Sequence, residues 1–441
     1  MTFLDNILFA IILTIGVGYF TLNVKKLIRN INLGRDVNRK DNSSERWKNM
    51  FMVALGQSKM VKRPIAGILH IIVYAGFVII NIEVIEIIID GLFGTHRVLS
   101  FLGGFYNVLI GSFEVLAVLV LVAVFIFWIR RNTIKLARFA SSDLKGAPKN
   151  DANYILYFEV VLMSLFLVMN AADFHLQNLG IGHYNQVGSF PISQYIAPLF
   201  NGMSEGLVII IERAAWWLHI VGILIFLNYL YFSKHLHILL AFPNTFYADL
   251  TAKGKLDNLE SVTNEVKLMM DPNADPFAAP ADISAVPAKF GASDVQDLNW
   301  VQLLNAYSCT ECGRCTSSCP ANQTGKKLSP RKIMMDTRDR LEEVGKNIDL
   351  NKGVFVDDNK SLLNDYISTE ELWACTSCNA CVEECPINIS PLSIIIDMRR
   401  YLVMEQSAAP NELNNVMTNI ENNGAPWQYN QMDRLNWSSE A

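Results

Sequence analysis

Apolar positions gather in five runs within the first 240 residues, at 4–23, 65–89, 106–129, 154–172 and 214–232. Each is long enough to cross roughly 30 Å of hydrocarbon as a helix, the form in which backbone groups find partners inside their own segment. The first run is expected to stay in the protein, because its basic residues follow the apolar stretch and no small-residue cleavage site closes it. The helix expected from the fifth run ends at Phe242-Pro243-Asn244. Residues 271–288, rich in Pro, Ala and Asp, read as a linker. From Trp300 on, the pattern is that of a compact soluble domain, with helices expected at 330–344, 369–374 and 391–406. The fold predicted is an all-α membrane domain of five transmembrane helices followed by a second, mainly α-helical domain.

Composition agrees with that division. Apolar residues make up 51% and charged residues 18% of the chain, and mean hydropathy is +0.23. A soluble domain carries about 25% charge. The net charge of −5 leaves no concentrated basic face for nucleic acid. The basic residues sit in two connecting segments: eleven from Lys25 to Arg63 and six from Arg130 to Lys149. Arg97 alone follows the second run, and none occurs between Ala172 and Gly206. By the positive-inside rule the chain is expected in the inner (cytoplasmic) membrane, with its N-terminus outside and everything after the fifth run in the cytoplasm.

All eight cysteines follow residue 300, in two matching runs. One is Cys309, Cys312, Cys315 and Cys319 before Pro320; the other is Cys375, Cys378, Cys381 and Cys385 before Pro386. Both read C-x2-C-x2-C-x3-C-P. In this arrangement three thiolates at steps of three grip one [4Fe–4S] cube, and the fourth reaches the neighbouring cube. The expected ligand sets are therefore Cys309, Cys312, Cys315 and Cys385 for the first cluster, and Cys375, Cys378, Cys381 and Cys319 for the second. Structural zinc would pair separated C-x2-C knuckles, often with His, and neither run fits. A secreted disulfide framework would scatter its cysteines. The division expected is then 1–243 for the five-helix domain, 244–296 for a linker, 297–407 for a dicluster ferredoxin-like domain and 408–441 for a C-terminal extension. No glycine-rich phosphate loop or G-x-G-x-x-G occurs.

Ionisable groups inside membrane helices point to function. His70 lies in the second run, His219 in the fifth and His237 at its inner end. If one helix ran through both, the 18 residues from His219 to His237 would make five turns and put both on one face, about 27 Å apart. His235 would then point nearly the opposite way. A bis-histidine haem needs ligands from two facing helices. His70, near the inner start of its helix, pairs naturally with His237, giving a haem b site. His219 is a candidate for a second haem b, with His175 as its expected partner and His96 as the next choice. An interhelix hydrogen bond is the alternative role for any of these rings. His183 reads as an ordinary loop residue. Glu83, Glu86 and Asp90 form one stripe in the outer half of the second run, with Glu114, Glu212 and Arg213 at a similar depth. They could carry protons from a quinol oxidised at the outer face, or sit at the aqueous boundary paired with Arg97 and Arg213. Trp216 and Trp217 read as an interface anchor or as haem neighbours.

On these residues the chain resembles known proteins over nearly its whole length. Trp216-Trp217-Leu-His219, Ser233-Lys-His235-Leu-His237-Ile and Gly67-Ile-Leu-His70 are similar to the cytochrome b (gamma) subunit of respiratory nitrate reductases. They are more similar to the cytochrome subunits of membrane-bound heterodisulfide reductases and of sulfite-reduction complexes. Ile80 stands where that family has a second histidine. The two cysteine runs, Leu328-Ser-Pro-Arg-Lys-Ile-Met-Met-Asp336 and Asn423-Gly-Ala-Pro-Trp427 resemble the iron–sulfur subunit of heterodisulfide reductases and the ferredoxin-like part of glycolate and lactate oxidation proteins. The resemblance implies an electron-transfer subunit linking quinone, haem b and two [4Fe–4S] clusters to a cytoplasmic catalytic partner. That partner would be a cysteine-rich subunit with adjacent cysteines (CCG), which this chain lacks. The substrate chemistry, whether heterodisulfide-like or glycolate- and lactate-like, would then lie on the partner. A membrane-tethered iron–sulfur sensor or assembly protein without haem is the other class, and a transporter is disfavoured because no inverted repeat or broken helix pair appears.

Overall fold

The computed structural model describes residues 3–182, 184–272 and 289–439. His183 and most of the expected linker at 271–288 lie outside the described residues. Among the described residues the chain is helical without strands, with only two isolated bridges. Five helices are long and apolar enough to cross a membrane: α1 (Phe3–Ile31), α2 (Pro64–Phe93), α3 (Gly104–Asn132), α4 (Ala147–Leu179) and α5 (Glu205–Leu230). They form a closed ring in which each helix packs on the next and α5 packs back on α1. Exposed side chains on this ring are apolar, among them Ile11 and Ile15 on α1, Val78 and Ile85 on α2, and Val122 and Phe125 on α3. A soluble bundle would place polar groups there, so this surface suits lipid. Close approach depends on small residues: a Cβ at Gly76 of α2 would meet Val120 of α3 at 2.5 Å.

Each helix has a local reason for its ends. Pro64 starts α2, where its missing N–H costs nothing, and Gly94 ends it with φ 71°, its N–H on the Asp90 carbonyl. The expected continuous helix from the fifth run does not form. α5 stops at Leu230, Ser233 is extended, and its hydroxyl accepts the His235 N–H at 3.1 Å to start a tight turn. Asp151 of α4 clamps this turn, accepting from the Tyr229 hydroxyl at 2.6 Å and the Lys234 N–H at 3.2 Å. A separate helix, α6 (His237–Phe246), then follows, with Pro243 inside it rather than ending a membrane span. The helical phase relating His219 to His237 is lost at this break.

The second domain is built on α7 (Trp300–Ser308), α8 (Pro330–Leu350) and α9 (Pro391–Met404). Asn299 and Gln302 form a capping box on α7, and Ser329 and Ser390 cap α8 and α9 ahead of Pro330 and Pro391. α8 runs six residues past the expected end at 344, because Gly345 continues the helix while its bare backbone lies against Asn30 of α1. The cores of the two domains are continuous: Leu27, Ile31, Leu162 and Leu230 pack in one cluster with Leu303, Leu341 and Ile395. Polar ties cross the same boundary. Asn30 donates to the Tyr307 hydroxyl at 2.9 Å, Lys26 pairs with Asp349 at 2.9 Å, and Arg331 forks onto Asp143 at 2.7 Å.

Candidate metal centres

The two cysteine runs fold alike. Cys309 follows the end of α7, and Cys375 follows the short helix Thr369–Trp373. Two residues after each leading cysteine comes a left-handed residue, Glu311 (φ 55°) and Ser377 (φ 55°). One residue after each second cysteine comes another, Gly313 (φ 72°) and Asn379 (φ 59°). These reversals turn the backbone around a small volume and aim N–H groups inward. The Ser377 N–H reaches the Cys375 sulfur at 3.4 Å, and the Ile389 N–H reaches that of Cys385 at 3.3 Å.

The fourth cysteine of each run stands with the other run. Cys385 lies close enough to Cys309, Cys312 and Cys315 to perturb their ionisation, and Cys319 does the same to Cys375 and Cys381. Cys309, Cys312, Cys315, Cys381 and Cys385 line a cavity of about 390 Å³ together with Met334 and other apolar side chains. Burial pushes the Cys309 thiol up to about 12 and the Cys385 thiol to about 11. Four such groups around one cavity suit a cationic guest that takes thiolates. Among the described residues no three His, Cys, Asp or Glu are close enough to share a single metal ion. The wider span of the sulfurs suits a multi-iron cluster and not zinc. Cys309 and Cys319 are buried, while Cys378 is exposed at the surface.

The first cysteine group faces the membrane helices. Arg314 donates to the Lys59 and Met60 carbonyls, at 3.2 Å and 3.3 Å, just before α2. Lys59 reaches the Val382 carbonyl at 3.2 Å, and Arg63 pairs with Glu384 at 2.8 Å. Glu311 is buried between Lys234 and Arg338, the latter at 2.8 Å. Together the two cations hold its carboxyl below the usual carboxylate range against the opposing effect of burial. Lys234 thus joins the turn between α5 and α6 to the loop between Cys309 and Cys312.

That turn carries histidines. His70 of α2 and His237 of α6 have ring centroids 6.4 Å apart, with planes 44° from each other. Imidazoles on opposite sides of one metal, about 2 Å from it, have centroids roughly 6 Å apart. The His237 Nδ1 meets the Lys234 carbonyl at 3.1 Å, so Nδ1 carries the proton and Nε2 is left for a ligand. The His70 Nδ1 is buried without a hydrogen-bond partner. His235, set aside above as facing away, joins the cluster, its ring 5.4 Å from that of His237. Its sequence signal was Ser233, whose cap breaks the helix and resets the phase.

The structure does not bring His175 to His219. The His219 Nδ1 donates to the Leu162 carbonyl at 3.0 Å, and its ring lies 6.0 Å from Phe166. His175 is 13 residues further along α4, about 20 Å away along the axis, and packs on Phe200. Nor is His96 beside His219; it lies 3.7 Å from Asp173. At that far end of the bundle Arg97 is buried and tied to Asp173, Asn170 and Tyr106. Nothing in its segment signalled burial beyond its being the lone cation there. Glu114 is also fixed, accepting from the Ile192 and Ser193 N–H groups.

The class defined by this fold and these cysteines is an iron–sulfur protein in which a 4Fe-4S dicluster domain is docked on a bundle of membrane helices. Residues 308–389 match the family model of the 4Fe-4S dicluster domain. The chain is 31% identical to a probable iron-sulfur-binding oxidoreductase, FadF, of Bacillus subtilis, over 99% of this chain and 61% of that protein. It is 26% identical to the EtfAB:quinone oxidoreductase of Syntrophomonas wolfei, over 92% of this chain and 55% of the relative. Its cluster domain is 35% identical to a ferredoxin/F(420)H(2)-dependent CoB-CoM heterodisulfide reductase subunit of Methanosarcina acetivorans, over 24% of this chain and 52% of that relative. The chain thus spans about three-fifths of the first of these relatives and just over half of the other two. No solved structure matches it.

Proposed function

We propose that the protein is a membrane-bound electron-transfer subunit working between the quinone pool and a cytoplasmic catalytic partner. In this reading Cys309, Cys312, Cys315 and Cys385 hold one [4Fe–4S] cluster, Cys375, Cys378, Cys381 and Cys319 hold the other, and His70 and His237 hold a haem b. His219, with Nδ1 committed to a carbonyl, offers Nε2 to a second haem. The bound groups supply one-electron exchange. The protein's part is to hold them in order and to set their surroundings. The observation that carries the reading is the Lys234–Glu311–Arg338 chain, which fixes the His235–His237 turn against the first cysteine loop. The N–H groups of Ser377 and Ile389 stabilise thiolate charge on Cys375 and Cys385. Exposed Cys378, with Arg399 stacked 4.9 Å over Trp373 nearby, marks the face where a partner docks.

The excess of Lys and Arg in the segments at the cluster end supports a cytoplasmic cluster domain in the inner membrane. The relatives named for heterodisulfide reductase and for quinone oxidoreduction support a catalytic partner of the cysteine-rich CCG type and quinone as the membrane substrate. The test is to purify the full chain, measure iron and acid-labile sulfide, and record a reduced-minus-oxidised optical spectrum after adding a short-chain quinol. Cluster bleaching and a haem α band are expected. A chain with clusters but no α band, unreactive to quinol, would overturn the conduit reading in favour of a tethered sensor.

A further inference from the structure

At the end of the bundle away from the cysteines, α2, α4, α5 and the Thr95–Arg97 loop enclose a second cavity of about 390 Å³. Its polar lining is almost fully committed. Glu86 accepts from the Leu99 N–H at 2.8 Å and the Tyr106 hydroxyl at 3.0 Å. Asp90 accepts from the Arg97 and Val98 N–H groups at 2.7 Å and 3.2 Å. Asp173 is held by Arg97 and by Gln177 at 3.3 Å. Glu212 is held by Tyr184 at 3.1 Å and by Arg213. The exception is Glu83, which is 3% exposed, lines the cavity, and has an Oε2 with no hydrogen-bond partner. A buried acceptor left open is costly and calls for a donor.

The chemistry of that donor is constrained. Glu83, Glu86, Asp90, Asp173 and Glu212 outnumber Arg97 and Arg213, so the cavity repels anions. Glu83 stands ten residues before the end of α2, about 15 Å along its axis and at hydrocarbon depth. A neutral, lipid-soluble molecule with hydroxyl donors on a flat ring fits, and Met169 and Trp216 supply apolar lining. Trp216 is three residues, one turn or about 4.5 Å, from His219. We propose that this cavity binds the head group of a quinol, with the Glu83 carboxylate accepting a ring hydroxyl. The site rests on the reading above that quinone is the membrane substrate.

The test uses the full chain in nanodiscs and the fluorescent quinol analogue 2-heptyl-4-hydroxyquinoline N-oxide, read by saturable quenching. Glu83→Leu removes the acceptor at similar volume, and Glu83→Gln keeps a carbonyl acceptor. Both are checked for helix content and monodispersity. Affinity is expected to fall in the order wild type, Gln, Leu, with Leu about tenfold weaker, as loss of a hydrogen bond to a charged group implies. Glu159→Gln, on α4 outside the cavity, should match wild type. Equal binding by wild type and both Glu83 variants would overturn this site while leaving quinone as substrate. If wild type binds no analogue and quinol reduces no cluster, the proposal and the reading beneath it fall together.

Discussion

Arg331 opens α8 with a side chain 1% exposed, and it depends on a loop 188 residues earlier in the chain. It grips Asp143 through Nε at 3.0 Å and Nη2 at 2.7 Å, while the Ser329 cap donates to the same carboxylate at 3.1 Å. Replacing Asp143 by Ala leaves a buried guanidinium without its counter-charge. Removing one partner of a buried pair costs about 3–5 kcal/mol. Arg331 keeps the Arg138 carbonyl at 2.8 Å and the Ser141 hydroxyl, so the low end applies, about 3 kcal/mol. At 1.4 kcal/mol per tenfold, opening of the loop between α3 and α4 should become roughly 100-fold more frequent. Hydrogen exchange of amides 137–145 in the full chain reads that opening directly. The double variant Asp143→Ala with Arg331→Met should be less destabilised than the sum of the singles, because it strands no charge. Additive single and double effects would refute the reasoning. Burial alone would raise the Asp143 carboxyl, but the hydrogen bonds and charge of Arg331 hold it below the usual range. A depressed carboxylate stabilises above its unfolded value, near 3.9, and that contribution is lost as pH falls through the folded value. Protection of the loop should therefore be flat from about pH 8 to 5 and fall only below about pH 4.

Other consequences concern the metal centres and the domain boundary. His70→Ala or His237→Ala should abolish the haem α band while cluster iron and sulfide stay at wild-type levels; retention of the band in both would remove the haem site proposed there. Cys385→Ala should roughly halve cluster iron, losing the centre shared with Cys309, Cys312 and Cys315, whereas unchanged iron would contradict the exchanged fourth ligands. At Gly345 a Cβ would meet the Asn30 amide nitrogen at 2.5 Å, and Asn30 is buried and bonded to Tyr307, so it cannot easily yield. Gly345→Ala should cost about 1–3 kcal/mol by overpacking, seen as a lower melting temperature of the cluster absorption.

Local chemistry made much of this molecule legible. The apolar runs located all five membrane helices, and Ser329-Pro330 and Ser390-Pro391 fixed where α8 and α9 begin. The cysteine spacing carried the dicluster domain. What escaped was set by distant partners. The break after Leu230 follows from a Ser233 cap and from Asp151, 83 residues before Lys234, while the apolar run through 232 hides it. The phase of His235 and His237 went astray with it. His175 looked like a partner for His219 because both lie in the far half of the bundle, yet α4 and α5 match Leu162 to His219 and leave His175 about 20 Å further on. The burial of Arg97 depends on Asp173, Asn170 and Tyr106, none nearer in sequence than nine residues.

The Lys and Arg residues that indicate orientation also do structural work, so the two roles need separating. Lys26, Lys62 and Arg63 pair with Asp349, Glu383 and Glu384 of the cluster domain. Their clustering at one end could then reflect docking instead of membrane topology. The helix count gives an independent check. With five helices in a ring, Phe3 and the residues after Leu230 must leave on opposite faces, and the segments after α1 and α3 must share the face of the cluster domain. The docking contacts obey that parity at every point. Neutralising Lys26 and Lys62 to Gln removes two of the eleven basic residues between Lys25 and Arg63 and two ion pairs. Exposed pairs of this kind are worth about 0.2–1 kcal/mol each. The double variant should therefore loosen the cluster domain slightly, seen as faster protease release, while a reporter fused after Ser439 keeps its compartment. Inversion of the reporter with docking unchanged would show that those charges act on insertion and not on assembly.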